Sequence, residues 1–277
     1  MKNPIQLSDY KFFVFDIDGT LVGPSHELHP FTKEVLLSLH DLGLPFTLAT
    51  GKILPATKAQ ADELRIDLPL IMANGSVLQK RTGEVLANVC LPVDVTRRAI
   101  QICEQRKEDL VIYIIDQLYI EKMNDNIYPI YSNVESGLNE IGGWEMLGSR
   151  IEQVTKCLVV DIHNQANLIE LGEIFEKEFA GTADIVHTST KLVEILPKGI
   201  SKATAVKTLA DTLGIRMDQV MAFGDYDNDA PMLSAVGLGV AVENASAAAK
   251  AAADLVIGPC EENAPAKFLK SLIDARR

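Results

Sequence analysis

Asp16 and Asp18 stand two residues apart in the segment Asp16-Ile17-Asp18-Gly19-Thr20. Like charges this close repel each other unless a cation or a proton lies between them. At the end of a strand, this spacing points both side chains in the same direction. One interpretation is chemical: Asp16 attacks phosphorus, while Asp18 gives a proton to the leaving oxygen and then takes one from water. The alternative is a turn in which the aspartates cap backbone amides, which is the usual role of an isolated pair.

A second acidic segment holds three aspartates within five residues, Asp225, Asp227 and Asp229. Such a density of carboxylates requires a cation or open solvent. The alternation is similar to the start of a calcium-binding EF-hand loop, but the sixth position is Ala230 instead of Gly and the twelfth is Val236 instead of Glu. A magnesium ion fits better, because it is held by few carboxylates and completed by water and a substrate phosphate.

Groups that could hold a phosphate occur at two further places. Lys202 follows Ser201, a natural N-cap, so it lies in the first turn of a predicted helix. A cation there opposes the helix dipole at a cost of roughly 0.3–1 kcal/mol, whereas a phosphate would be attracted by both the helix terminus and the ammonium. Thr50 and Gly51 offer a hydroxyl and an approachable amide, although alone they form only a turn. Lys52 could add charge, but a lysine after a turn is usually solvated.

These polar segments follow short apolar runs that predict buried strands. The runs are Lys11–Phe15 before the first aspartates, Pro45–Ala49 before Thr50, and Val220–Phe223 before the second acidic segment. Strands that alternate with helices form a parallel sheet covered on both faces, and ligands bind at the carboxyl ends of its strands. We therefore predict an α/β fold, with a Rossmann-like core whose helices lie on both faces and whose polar residues meet at one edge.

The middle of the chain follows a different pattern. Leu110–Ile115 and Leu118–Met123 are two predicted strands joined by a short turn, which indicates antiparallel pairing. We therefore predict an α+β domain, here called the insert, within the α/β core. The predicted ranges are 1–82 and 192–277 for the core and 83–191 for the insert.

Composition excludes several classes of function. The chain has 277 residues and a formal charge of −12, so binding to nucleic acid or an anionic membrane would need a basic patch that the sequence lacks. No apolar stretch approaches the roughly 20 residues that span a bilayer. The cysteines, without the spacing of a zinc site, indicate a reduced setting; they are Cys90, Cys103, Cys157 and Cys260. We expect a soluble, cytoplasmic protein.

Four segments, in this order and at predicted strand or helix ends, resemble the haloacid dehalogenase-like hydrolase superfamily. They are Asp16-x-Asp18-Gly19-Thr20, Thr50-Gly51, Lys202 and Gly224-Asp225-x-x-Asn228-Asp229. The insert between the second and third is similar to the large α/β lid of the Cof-like branch, which includes many sugar-phosphate phosphatases. Many relatives have arginine where this chain has Lys52, so a bidentate fork is replaced by a point charge and no phosphate role is assigned to it.

The resemblance implies a role for each matching residue. Magnesium (Mg²⁺) would be held by the Asp16 carboxylate, the Asp18 main-chain carbonyl and the Asp225 carboxylate, with Asp229 in support. Phosphate would meet the Ile17 amide, Thr50, Lys202 and Asn228. The expected activity is hydrolysis of a small phosphate monoester, a sugar phosphate or related metabolite, through an aspartyl-phosphate on Asp16.

Two other functions stay open at this point. A phosphosugar mutase could use the same aspartates and return the phosphoryl group to the sugar instead of to water. A sensor could bind a phosphorylated metabolite without turnover, but a sensor has no need of the nucleophile and acid pair formed by Asp16 and Asp18.

Overall fold

Short apolar runs form the strands of three sheets in the computed structural model, which describes residues 5–131 and 137–276. In chain order the strands are β1 (Phe12–Phe15), β2 (Phe46–Leu48), β3 (Leu70–Met72), β4 (Val77–Gln79), β5 (Val85–Asn88), β6 (Asp109–Ile114), β7 (Gln117–Ile120), β8 (Leu138–Glu140), β9 (Lys156–Val160), β10 (Ala183–Ser189), β11 (Leu192–Pro197), β12 (Val220–Gly224), β13 (Leu238–Ala241) and β14 (Leu255–Val256). The α-helices are α1 (Pro30–Asp41), α2 (Lys58–Glu63), α3 (Val93–Arg106), α4 (Tyr128–Tyr131), α5 (Gln165–Glu178), α6 (Lys202–Leu213), α7 (Ala230–Ala235), α8 (Ala247–Ala252) and α9 (Ala264–Ala275).

The core sheet is parallel throughout and has the strand order β14-β13-β12-β1-β2. Alternate side chains of β1 enter two hydrophobic clusters, Phe13 and Phe15 on one face of the sheet and Phe12 and Val14 on the other. Residues of α1 and α9 belong to the first cluster, and residues of α6, α7 and α8 belong to the second. This arrangement confirms the predicted α/β fold, in which helices cover both faces of a parallel sheet.

β3, β4 and β5 form a small antiparallel sheet beside the core. It joins the core sheet at one bridge, where Ala49, just after β2, pairs in parallel with Ile71. Its first turn contains Asn74 and Gly75, both with positive φ (58° and 100°). A Cβ on Gly75 would collide with the main-chain carbonyl of Ser201. The turn therefore approaches the start of α6 as closely as only glycine permits.

The insert is built on a mixed sheet with the order β10-β11-β9-β6-β7-β8. β6 and β7 pair antiparallel, as their short connection predicts. On one face of this sheet, Ile112 and Val159 enter a cluster that includes residues of α3 and α5. On the other face, Tyr113 and Leu158 enter a cluster that includes Ile53 from the core. One face thus forms the insert's own interior, and the other lies against the core.

The predicted ranges of core and insert stay a prediction. Strand pairing bears on the two places where the chain passes from one to the other. β5, which the prediction assigned to the insert, pairs with β4. β11, which the prediction assigned to the core, pairs with β9 and β10. The antiparallel sheet therefore extends to Asn88, and the insert sheet extends to Pro197.

None of the helices in the described ranges is long and apolar enough to cross a membrane. The four cysteines are unpaired, and all but Cys90 are buried. Burial raises the pKa of Cys157 to about 12, and burial together with nearby acids raises that of Cys260 to about 11. These two thiols stay protonated near neutral pH, which makes them poor nucleophiles.

Candidate active site

The carboxyl ends of β1, β2 and β12 meet at one edge of the core sheet, with β1 between the other two. A cavity of about 490 Å³ lies between this edge and the insert. Six of the predicted site residues line it, namely Asp16, Asp18, Thr50, Asp225, Asn228 and Asp229. The topology thus brings together residues that are more than 200 positions apart in the chain, as a parallel sheet predicts.

Lys202 is the buried cation of this edge and is only 1% exposed. It begins α6, which Ser201 caps through a hydrogen bond from the Thr204 amide. Its Nζ donates to Oδ1 of Asp16 and to Oδ1 of Asp229, each at 2.6 Å. Burial alone would lower the pKa of the ammonium, but the two carboxylates raise it above its ordinary value. Lys202 is therefore a fixed positive charge directly beside Asp16.

Three carboxylates lie around this ammonium. One oxygen from each of Asp16, Asp225 and Asp229 lies within 4.8 Å of the others. Burial raises the pKa of Asp16 well above its ordinary value; Lys202 opposes this, and the two other aspartates add to it. Burial and then Asp229 raise the pKa of Asp225 to about 7. The cluster has three carboxylates for one ammonium and offers hard oxygen donors, so its chemistry fits a magnesium ion.

Asp229 differs from the other two because both of its oxygens already accept hydrogen bonds. Oδ1 accepts from Lys202 at 2.6 Å. Oδ2 accepts from the main-chain amides of Asp225 and Tyr226, at 3.0 and 3.1 Å. This carboxylate therefore orients both Lys202 and the loop that carries Asp225, a geometry that suits the supporting role predicted for it.

The loop after β1 packs directly on Asp225. The Ile17 carbonyl accepts from the Val22 amide at 2.9 Å, and the Gly19 amide donates to the Val22 carbonyl at 2.8 Å. Gly19 has a φ of 81°, and a Cβ at this position would collide with the Asp225 carboxylate. The Thr20 hydroxyl donates to Oδ1 of Asp225 at 3.1 Å. Thr20 thus contributes a contact that its place in the first motif did not predict.

Asp18 is held by two side chains at the mouth of the cavity. Lys52 Nζ donates to Oδ1 of Asp18 at 2.7 Å, and Nδ1 of His26 lies 2.9 Å from the same oxygen. The Asp18 side chain is 35% exposed, so it meets solvent while Asp16 is buried. Lys52, which the sequence left without a role, therefore pairs with Asp18. His26 was not predicted, and no local pattern around it distinguishes it from a loop histidine.

Thr50 and Asn228 have partners that fix which atoms they present. Oγ1 of Thr50 accepts from the Lys52 amide at 3.2 Å, which leaves the hydroxyl proton for another acceptor. Nδ2 of Asn228 donates to Oδ1 of Asn74 at 2.9 Å. One amide proton of Asn228 is therefore engaged, and the second stays free for a ligand.

The insert supplies the opposite wall of the cavity. Much of this wall is apolar or aromatic and consists of Tyr113, Leu118, Pro129, Ile130, Tyr131, Leu158 and Leu192. Its polar part contains Lys156, Thr188, Ser189 and Glu194. Sequence analysis missed all of these residues. A signal existed for two of them, because Lys156 and Glu194 are charged residues within apolar strands, where a buried charge needs a partner.

Comparison with known proteins gives a consistent result. A family model described as haloacid dehalogenase-like hydrolase matches residues 13–269. The HMP-PP phosphatase of Yersinia pseudotuberculosis is 27% identical over 263 residues, which cover 94% of each chain. A haloacid dehalogenase-like hydrolase from Bacteroides thetaiotaomicron superposes with a TM-score of 0.82 at 24% identity, covering 95% of this chain and 99% of that one. A HAD/COF-like hydrolase from Plasmodium vivax superposes with a TM-score of 0.86 at 23% identity, covering 96% of both.

Proposed function

The chain belongs to the haloacid dehalogenase-like hydrolase family, and on this premise we propose that it is a magnesium-dependent phosphatase of the Cof-like branch. Its substrate is a small phosphate monoester, and Asp16 is the nucleophile. The observation that carries this proposal is the buried Lys202 ammonium, 2.6 Å from Oδ1 of Asp16, which lines the cavity. A phosphoryl group that reaches Asp16 meets this positive charge, which stabilises the negative charge of the transition state.

Two aspartates share the proposed chemistry. An oxygen of Asp16 bonds to phosphorus while the bond from phosphorus to the ester oxygen breaks, and Asp18 gives that oxygen a proton. Asp18 then takes a proton from water, whose oxygen attacks phosphorus and displaces Asp16. Inorganic phosphate and free Asp16 result. The contact with Lys52 Nζ, at 2.7 Å, holds the Asp18 side chain at the cavity.

The remaining residues bind and orient the phosphate. Lys202 holds a phosphoryl oxygen, the Ile17 amide and the Thr50 hydroxyl donate to others, and Asn228 offers its second amide proton. The carboxylates of Asp16 and Asp225 and the main-chain carbonyl of Asp18 would hold Mg²⁺, with Asp229 in support. When bound, Mg²⁺ neutralises negative charge on the carboxylates and the phosphoryl group.

The insert wall faces the leaving group and limits its size. A cavity of about 490 Å³ suits a small metabolite. The resemblance to the Cof-like branch implies a sugar phosphate, whereas the matching Yersinia protein is named an HMP-PP phosphatase. Both kinds of ester belong in a first phosphate-release screen, with nucleotides, phosphoglycolate and pyridoxal phosphate beside them.

The nucleophile is tested with Asp16→Asn on the best substrate of that screen. We expect phosphate release to fall by about 10³-fold or more, because the amide cannot form the covalent intermediate. Asp227→Asn is the matched control, since it removes one charge from the second acidic segment without changing a proposed ligand. Turnover by Asp16→Asn at the normal rate would exclude the aspartyl-phosphate.

The metal requirement is tested separately. We expect EDTA to abolish phosphate release and added Mg²⁺ to restore it, because the buried carboxylates would otherwise repel the anionic substrate. Full activity in metal-free buffer would refute the magnesium proposal. In the same assays, an isomerised sugar phosphate without free phosphate would indicate a mutase, and tight binding without either product would indicate a sensor.

A further inference from the structure

Two buried charged side chains of the insert, Lys156 on β9 and Glu194 on β11, form an ion pair. Nζ of Lys156 lies 2.7 Å from Oε2 of Glu194, and the two residues are 1% and 2% exposed. Removing both charges from water is costly, so a buried pair is by itself a weak source of stability. One further contact of each residue crosses to the core and ends beside a residue that we propose to bind phosphate.

Lys156 holds the peptide group that joins Gly51 to Lys52. Its Nζ also donates to the Gly51 carbonyl at 2.9 Å and lies 4.2 Å from the centre of the Tyr113 ring. The amide of the same planar peptide group belongs to Lys52 and donates to Oγ1 of Thr50 at 3.2 Å. Fixing the carbonyl therefore fixes the amide, which keeps Oγ1 an acceptor and turns the hydroxyl proton of Thr50 outward.

Glu194 controls the orientation of two amide side chains in series. Its carboxylate can only accept, so Asn74 must point Nδ2 at Oε2, at 2.7 Å. Oδ1 of Asn74 then faces Asn228 and accepts from its Nδ2 at 2.9 Å. Oε1 of Glu194 accepts from the Thr188 hydroxyl at 2.9 Å, which holds the carboxylate in place. This series of contacts fixes the orientation of the Asn228 side chain, with its Nδ2 towards Asn74.

We propose that Lys156 and Glu194 are positioning residues of the insert that set the donors of Thr50 and Asn228 for phosphate. The inference rests on the proposed function of the same site. Two relays that meet at the ion pair carry it: Lys156 acts through Gly51 on Thr50, and Glu194 acts through Asn74 on Asn228. Both relays exist only while the insert is docked on the core, so the phosphate site is complete only when the cavity is closed.

Binding of inorganic phosphate at saturating Mg²⁺, measured by calorimetry, tests the positioning without requiring turnover. We expect Lys156→Met and Glu194→Gln each to weaken binding by about tenfold, since contacting residues of one network couple by this order. The double variant removes both charges and serves if a single variant does not fold. Cys157→Ala is the matched control: it alters β9 on the face buried in the insert, and we expect unchanged phosphate binding.

Double-mutant cycles separate positioning from general loss of structure. Thr50→Val should add little to the effect of Lys156→Met, and Asn228→Ala should add little to that of Glu194→Gln, because each pair lies on one relay. Thr50→Val combined with Glu194→Gln should be closer to additive. Folded single variants that bind phosphate within twofold of the parent, or additivity within each relay, would overturn the positioning. Phosphate binding without hydrolysis of any ester would instead refute the phosphatase proposal and leave the relays testable.

Discussion

Asp225 is the site acid whose charge changes near neutral pH, because burial and Asp229 raise its pKa to about 7. Lys202 and the Thr20 hydroxyl oppose this rise but do not cancel it. A carboxylate of this kind is costly to ionise until a cation binds beside it. Metal binding and proton release are therefore linked at this residue.

This linkage predicts how stability depends on pH. The folded pKa of about 7 exceeds the ordinary value of 3.8, so the folded protein keeps a proton that the unfolded chain releases. Without metal, this residue should lower the free energy of unfolding by the order of a few kcal/mol as pH rises from about 4 to about 7. Thermal melts across this range should show the loss, and Asp225→Asn should reduce it but not abolish it, because the raised pKa of Asp16 acts in the same direction.

The same residue predicts when Mg²⁺ stabilises the fold. Because Mg²⁺ requires the ionised carboxylate, we expect it to raise the melting temperature more at pH 8 than at pH 5. Asp227→Asn should keep both responses, since that side chain is not among the clustered carboxylates. An Mg²⁺ effect that is independent of pH would exclude Asp225 as a ligand.

Residues whose partners are close in sequence or share a strand end could be predicted from the sequence. Asp16, Asp18, Thr50 and Asp225 follow strands of one parallel sheet, so topology alone brings them together. Glu194 could not be placed in this way, because it reaches Asn74 across 120 positions and from a different sheet. Such contacts depend on how the insert docks, and no local pattern specifies that.

At the scale of elements, the start of α6 determines where Lys202 points. Ser201 and Thr204 form a capping box, in which each side chain accepts from the main-chain amide of the other. The close approach of Gly75 to the Ser201 carbonyl adds a second constraint. The helix therefore begins at a fixed residue, and Lys202 enters the site from its first turn.

Loss of this cap should affect both stability and activity. Ser201→Ala removes the acceptor for the Thr204 amide, and we expect about 1 kcal/mol lower stability together with a reduced kcat, as the first turn frays and Lys202 shifts. Ser201→Thr should retain most of both. Thr208→Ala, on the same helix but outside the cap, is the control. Normal kcat in a destabilised Ser201→Ala would show that the cap does not position Lys202.

Element boundaries followed the sequence where a clear cap or periodicity existed. α6 begins at Lys202, as predicted, and ends at Leu213, between a serine cap and Gly214, which has left-handed backbone. β4 was not predicted, because its three residues are too few to show a period. For the domain limits we propose that the chain enters the insert after β5 and returns to the core after β11. Strand pairing assigns β5 to the small sheet and β11 to the insert.

At the scale of the whole molecule, core and insert also meet at Gln79 and Asp116. Nε2 of Gln79 donates to Oδ2 of Asp116 at 2.7 Å. Two buried oxygens of this contact have no hydrogen-bond partner among the residues that the structure describes, Oε1 of Gln79 and Oδ1 of Asp116. Because a carboxylate cannot donate, the pair makes one hydrogen bond where two amides could make two. The contact is therefore weaker than its burial permits.

Asp116→Asn should strengthen the contact between core and insert. The new amide can donate to Oε1 of Gln79 while its oxygen still accepts from Nε2, and we expect a gain of about 1 kcal/mol. In a chain of this size the melting temperature should rise by about 2 °C. Asp125→Asn is the control, because it removes the same negative charge from an exposed residue of the insert. A lower melting temperature would mean that the ionised carboxylate is required there.

One face of the insert sheet lies in the interior of the insert, and the other faces the site. Packing the interior and lining the cavity therefore fall on alternating residues of the same strands. Ile112 and Val159 belong to the interior, whereas their neighbours Tyr113 and Leu158 line the cavity. Substitutions on the second face can change which esters are accepted and leave the first untouched. A common scaffold can thus diversify its chemistry during evolution, and an engineer can retune selectivity, without rebuilding the domain that carries it.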